Sequence, residues 1–257
     1  MEECKQSDRT AFIPFIVAGD PSLSATAAAI RALDAAGADV IELGVPYSDP
    51  LADGPTIQAA ATRALENGVV LDDVIGVVRE VSPTITAPIV MFTYFNPIMA
   101  RGLDTFCSQI AAAGASGLLV PDIPLEETGE IREVASKHGL DLVLLATPTT
   151  PAGRMREIAA ATQGFVYLVS VTGVTGMRGT TETRVEGLIE TLRDCTEKSI
   201  AVGFGVSGPE QARQIKGWGA DGVIVGSALV KALGESGGEE GGLAAMETLA
   251  RSIREAI

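Results

Sequence analysis

Short apolar runs, each bounded by Gly, Pro or Asp, recur along this chain at Phe12–Ala18, Val40–Gly44, Ile89–Tyr94, Gly117–Val120, Asp141–Leu145, Phe165–Ser170, Ile200–Gly203 and Gly222–Val225. Between them lie stretches with helical spacing, among them Ser24–Ala36, Thr56–Glu66, Leu103–Ala113, Pro124–Lys137, Gly153–Ala161 and Pro209–Lys216. Ala-Gly-Ala-Asp (36–39), Ala-Gly-Ala-Ser (113–116) and Gly-Ala-Asp (219–221) each precede a run, as helix carboxyl caps turning tightly into the next strand. Eight strand-helix units predict a single-domain α/β fold, a (β/α)8 TIM barrel, with an open doubly wound sheet as the alternative. Met1–Thr10 forms a short segment ahead of the first strand. Residues 234–242, rich in Gly and Glu, read as a flexible surface loop before a last helix.

Composition narrows the picture. At 257 residues the chain fits one barrel, and with 46% apolar but only 4% aromatic residues its core is built of Ala, Val, Ile and Leu, as in parallel sheets covered on both faces. The net charge of −14 argues against nucleic acid and anionic membranes as partners, since both require basic patches. Cys4, Cys107 and Cys195 are scattered and odd in number, which fits reduced thiols. No apolar run is long enough to span a bilayer, and the polar start shows no signal peptide. A cytoplasmic location is expected, or the plastid stroma if a transit peptide was removed.

The chemistry centres on Ile41-Glu42-Leu43-Gly44-Val45-Pro46-Tyr47-Ser48-Asp49-Pro50-Leu51-Ala52-Asp53-Gly54-Pro55. Glu42 closes an apolar run and so stands at the carboxyl end of a strand, where barrel enzymes collect catalytic groups. Asp53 follows eleven residues later, in a loop running into a helix opened by Pro55. Burial should raise the pKa of Glu42 and let it act as acid and base. Glycine turns at Thr172-Gly173-Val174-Thr175-Gly176, Gly203-Phe204-Gly205 and Gly226-Ser227 leave the last three strands, and in barrels such turns often cradle a phosphate.

Absences discriminate further. His138 is the only histidine and lies at the opposite end of the barrel, so neither a Ser-His-Asp triad nor a histidine-rich metal site is available. None of the five lysines falls at the carboxyl end of a strand, which removes an imine-forming nucleophile. Asp20, Asp49 and Asp122 read as turn or cap residues, and Glu126 and Glu127 as a helix first turn. An isomerase acting through two facing aspartates could take one from Asp20, but strand five exits as Leu145-Ala146-Thr147-Pro148 without an acid. Proton transfer by carboxylates beside a phosphate remains.

Pro14-Phe15-Ile16-Val17-Ala18-Gly19-Asp20-Pro21, the 41–55 stretch, Val120-Pro121-Asp122-Ile123-Pro124, 170–176, Gly203-Phe204-Gly205 and Gly226-Ser227-Ala228 together resemble the tryptophan synthase alpha subunit family, from about residue 11 to the carboxyl end. The resemblance implies retro-aldol cleavage of indole-3-glycerol phosphate to indole and glyceraldehyde 3-phosphate, without metal or organic cofactor. It implies that Glu42 protonates indole C3 and serves the glycerol hydroxyl, while Asp53 holds the N1 proton. It places Gly176, Phe204, Gly205, Gly226 and Ser227 around the phosphate, and Phe15, Ile57, Tyr94 and Tyr167 (with Phe204) around the indole ring. Thr175 sits in the strand-six loop, which in this family closes over substrate. A pyridoxal-phosphate-dependent tryptophan synthase beta subunit is the implied partner, which Tyr47, Leu51 and Ala52 resemble in type; a free-standing lyase releasing indole is the alternative. A barrel kept only to activate a partner is disfavoured, since both carboxylates and the glycine turns remain. The family's helix ahead of strand one is expected to be shortened or absent here.

Overall fold

The computed structural model describes residues 1–7, 9–169, 178–203, 205–235 and 237–257, the side chains of residues 2, 3 and 178–184 apart. Eight parallel strands, β1 (Ala11–Val17), β2 (Ile41–Gly44), β3 (Ile89–Phe92), β4 (Ala115–Leu119), β5 (Asp141–Ala146), β6 (Phe165–Val169), β7 (Ser199–Gly203) and β8 (Gly222–Val225), close into a barrel in sequence order. β1 pairs with β8 from Ala11↔Gly222 to Pro14↔Val225, which closes the sheet and removes the doubly wound alternative.

Alternate residues along each strand face opposite ways, and here both faces are apolar. Ile13, Phe15, Val90, Phe92, Leu119, Tyr167 and Ile224 belong to one buried cluster inside the barrel. Phe12, Ile16, Ile41, Leu43, Ile89 and Met91 belong to a second, packed outward against helices. Both faces being covered, the strands read as unbroken apolar runs, the reason that their number and order are visible in the sequence.

The helices follow from local chemistry. Helix α2 (Leu23–Ala35) is capped by Ser22, whose hydroxyl accepts from Ala25 N at 3.1 Å. α3 (Pro55–Glu66) and α10 (Pro209–Gly217) open on proline, whose missing N–H costs nothing in a first turn. The three expected tight turns carry Gly37, Gly114 and Gly219 at φ +89°, +102° and +81°, where a side chain would be strained. Residues 125–127 form a 3-10 turn ahead of α7 (Thr128–Lys137), so the run expected from Pro124 is split.

One expectation is corrected near the carboxyl end. The 234–242 loop is instead mostly helix: α11 (Ser227–Glu235) ends inside it and α12 (Gly238–Arg254) begins inside it. Gly242 lies so close to α11 that an added Cβ would sit 2.0 Å from the Leu233 carbonyl oxygen, so glycine here permits helix packing. Glu239 and Glu240 suit the first turn of α12, where backbone N–H groups attract negative charge. The helix ahead of β1 is present but short, α1 (Glu2–Gln6), with Cys4 buried.

That segment is fastened by Asp39, just before β2. Its carboxylate accepts from Arg9 (Nη2, 2.6 Å; Nη1, 3.0 Å), Arg254 Nη1 (3.0 Å), Phe12 N (2.8 Å) and the Cys4 thiol (3.2 Å). The amino end of the barrel, the start of the chain and α12 are thereby tied at one point.

Candidate active site

β2 is only four residues long, and its register sets Glu42 opposite Phe15 on β1 and Val90 on β3, both interior residues. Glu42 therefore points into the barrel near its carboxyl mouth. It is 1% exposed, and neither carboxylate oxygen has a hydrogen-bond partner among the described residues. Burial without a compensating donor or cation penalises the charged form and pushes its pKa up to about 8.

Asp53 arrives by the loop after β2. Its N–H donates to Pro50 O at 3.1 Å and its carbonyl accepts from Gln58 Nε2 on α3 at 2.8 Å, so the backbone is held at both sides. Burial raises its pKa to about 6, opposed by a hydrogen bond from the Tyr94 hydroxyl to Oδ2 at 2.9 Å. At neutral pH the two carboxyls are thus in opposite states, Glu42 mostly protonated and Asp53 mostly ionised.

Both line one cavity of about 190 Å³. Phe15, Phe92, Ile57, Tyr167 and Ile224 give it an apolar wall, and Gly205, Val206, Gly226 and Ser227 form its far rim. Phe15 and Phe92 meet edge to face, with centroids 5.3 Å apart and an interplanar angle of 74°. Ser227 opens α11, whose first-turn N–H groups have no acceptor within the helix and favour an anion. Gly205 takes φ +82°, a conformation natural to glycine. Gly176, Thr175 and Phe204 lie outside the described residues.

Of the residues expected around the ring, Phe15, Ile57 and Tyr167 reach the cavity and Tyr94 does not line it. Tyr94 instead stands behind Asp53, its ring stacked on Tyr47 with centroids 5.1 Å apart. Phe92, Val206, Ile224, Gly54, Pro55 and Thr56 line the cavity unanticipated. Strand parity carries the signal for Phe92 and Ile224, since each shares the inward face with residues already singled out.

Asp20, Asp122 and Glu126 take structural duties. Asp20 receives a two-pronged hydrogen bond from Arg63, 2.8 Å at each oxygen. Asp122 accepts from Phe95 N at 3.0 Å and so caps α5 (Phe95–Arg101). Glu126 pairs with Arg154 and is held down at about 2 by hydrogen bonds from that guanidinium. His138 ends α7, 3.0 Å from Asp104 Oδ1 at the far end of the barrel. A larger cavity of about 720 Å³ opens at that amino end, but Lys198 on its wall is committed to the carbonyls of Ala159, Ala160 and Thr162. Among the described residues no cluster of three or more His, Cys, Asp or Glu side chains could hold a metal ion, and no helix is long and apolar enough to cross a membrane.

The family model for the tryptophan synthase alpha chain matches residues 1–257. Similar curated proteins include the tryptophan synthase alpha chain of Picosynechococcus sp., 60% identical over 98% of this chain and 96% of the relative, and that of Arabidopsis thaliana, 53% identical over 98% and 92%. Among solved structures, the tryptophan synthase alpha subunit of Legionella pneumophila superposes with a TM-score of 0.91 at 37% identity, over 100% of this chain and 95% of that one. The tryptophan synthase α2β2 complex of the hyperthermophile Pyrococcus furiosus gives 0.88 at 40% identity, over 95% and 97%.

Proposed function

The chain belongs to the tryptophan synthase alpha chain family, and on that premise we propose that its barrel mouth cleaves indole-3-glycerol phosphate to indole and glyceraldehyde 3-phosphate, with Glu42 and Asp53 as the two catalytic carboxyls. The observation that carries the assignment is the pairing of a protonated Glu42, without a hydrogen-bond partner among the described residues, with an ionised Asp53 on one cavity.

The indole ring lies among Phe15, Phe92, Ile57, Tyr167 and Ile224, and the phosphate rests on the N–H groups at Gly205, Gly226 and Ser227. Gly176, Phe204 and Thr175, which the family resemblance assigns to phosphate binding and loop closure, lie outside the described residues. Glu42 gives its proton to indole C3, which leaves positive charge on the ring nitrogen. Asp53, ionised, accepts the N1–H hydrogen bond and stabilises that charge electrostatically. Glu42, now a carboxylate, takes the proton of the neighbouring glycerol hydroxyl. The bond between C3 and the glycerol carbon breaks, its electrons return to the ring, and the hydroxyl carbon becomes the aldehyde. Glu42 ends protonated again, so one residue serves both proton transfers, which a pKa near neutrality favours.

A tryptophan synthase beta subunit is the partner of this chain, as in the Pyrococcus furiosus complex. Leu51 supports a docking face beside the site: it is 89% exposed on the loop that carries Asp53. Relatives from cyanobacteria and from Arabidopsis thaliana support the cytoplasm or the plastid stroma as the location. Steady-state release of indole, with and without added beta subunit, tests the reading. Cleavage that rises on adding the beta subunit and is lost in Glu42→Gln and Asp53→Asn is expected. No indole from the wild-type chain with the beta subunit present overturns it.

A further inference from the structure

We infer that Tyr94 is a positioning residue which, backed by Tyr47, grips one carboxylate oxygen of Asp53 and fixes its side chain, so that the other oxygen remains for the substrate. The inference rests on the assignment of Asp53 above and goes beyond it in naming what sets the orientation and acidity of that group.

The geometry is directional. The Tyr94 hydroxyl has a single proton, and it is given to Asp53 Oδ2 at 2.9 Å. The phenol oxygen of Tyr94 in turn accepts the N–H of Ala52, the residue before Asp53, at 3.0 Å. One phenol thus grips the aspartate through its side chain and through the adjoining backbone, fixing the torsion between them. The hydrogen bond is made to the charged form of the carboxylate and lowers its pKa against the rise that burial imposes. With Oδ2 engaged, Oδ1 is the oxygen left to meet the N1–H of the indole.

The phenol is itself held. Tyr47, at the start of the same loop, stacks on its ring at an interplanar angle of 28°. The Tyr47 hydroxyl accepts from Asn96 Nδ2 at 3.1 Å, on the helix that Asp122 caps at Phe95. The loop from 47 to 53 is therefore pinned at both ends to the residues just beyond β3. Among the described residues, the titratable groups around Asp53 are Tyr94 behind it, Glu42 from β2 and Tyr167 from β6, with Asp122 beyond Tyr94 and Asp49 on its own loop. Only Tyr94 among them donates a hydrogen bond to Asp53 that resists the effect of burial.

The test is the pH dependence of indole-3-glycerol phosphate cleavage in the complex with beta subunit, comparing the wild type with Tyr94→Phe. A phenyl ring keeps the stack and loses the proton. Removing a hydrogen bond to a charged group should lower kcat by about 10- to 100-fold with KM changed by about twofold or less, and should move the acid limb of kcat/KM upward by about one pH unit. In an Asp53→Asn background the same substitution should add little, because the positioned group is gone. A loss of equal size in both backgrounds, or an unmoved acid limb, overturns the inference. The wild type gives a second reading that needs no variant to fold: the ζ-carbon of Tyr94, followed by 13C resonance, should inflect where Asp53 titrates, near pH 6, and absence of that inflection overturns it too. The two failures remain separable. A wild type that makes no indole sinks the function itself, whereas an active wild type with an inactive Asp53→Asn and an unaffected Tyr94→Phe sinks only the role of Tyr94.

Discussion

Asp39, just ahead of β2, and Glu42, the second residue of that strand, stand three residues apart, and the fold treats them in opposite ways. Asp39, at the amino end, would be pushed up by burial, yet hydrogen bonds from Arg9, the Phe12 N–H and the Cys4 thiol outweigh that effect and bring its pKa below the usual value. Glu42, inside near the mouth, receives nothing from the described residues and rises to about 8. An acid that is fully satisfied serves as a fastener. One left wanting a donor keeps its proton and is available for chemistry, at a cost in stability. The lesson is that burial alone does not mark a functional carboxyl; burial without partners does.

The comparison breaks most visibly in turnover. Glu42→Gln should lower the rate of indole release by about 10²- to 10⁴-fold, the typical worth of a general acid or base, while Asp39→Asn should leave kcat within about threefold. Equal losses from both would end the distinction.

Stability should run the other way. A carboxyl whose folded pKa is raised costs stability as pH climbs from the unfolded value, near 4.5, through the folded value, near 8. Glutamine does not titrate, so Glu42→Gln should be the more stable chain at pH 8, by something on the order of 4 kcal/mol, with the gap closing below pH 4.5. Urea midpoints at the two pH values measure it. Asp39→Ala should instead lose about 3 kcal/mol, since two guanidinium groups, Arg9 and Arg254, are left without their shared anion, and the first of these is discounted for its exposure.

Smaller effects sharpen the picture. With Asp53 ionised and Glu42 protonated in the active form, kcat/KM should fall below about pH 6 and above about pH 8. Ser227→Ala removes a hydroxyl but no backbone N–H from the rim proposed to hold the phosphate, so KM should rise by about 3- to 10-fold with kcat retained. A larger loss there would mean that the side chain, rather than the helix amino end, dominates phosphate binding.

Much of this was legible in the chain because the physics is local. Strands covered on both faces write themselves as apolar runs, and Gly37, Gly114 and Gly219 mark turns that glycine enters readily. Glu42 was visible as an acid in such a run, though it stands second in β2 with Leu43 and Gly44 still to follow, where the end of the strand was expected. Tyr94 was misplaced in the ring slot because periodicity gives the end of β3 but not which neighbour a phenol will find; its partner lies 41 residues away, in an irregular loop. The 234–242 stretch misled for a related reason. Glycine and glutamate in a row suggest a chain without a core, yet Gly242 is demanded by the Leu233 carbonyl, a contact that exists only once α11 and α12 have met. The fastening role of Asp39 was equally hidden, since its ligands come from residues 4, 9, 12 and 254.

The hollow at the mouth owes its existence to two missing methyl groups. A Cβ on Gly44 would fall 2.7 Å from the tip of the Phe15 ring, and one on Gly203 would fall 2.6 Å from the Tyr167 hydroxyl oxygen. Either alanine would force an aromatic ring that lines the cavity to shift. Vacancy here is a property of strand residues that touch no substrate, so the volume of the reaction chamber is written into the wall behind its lining.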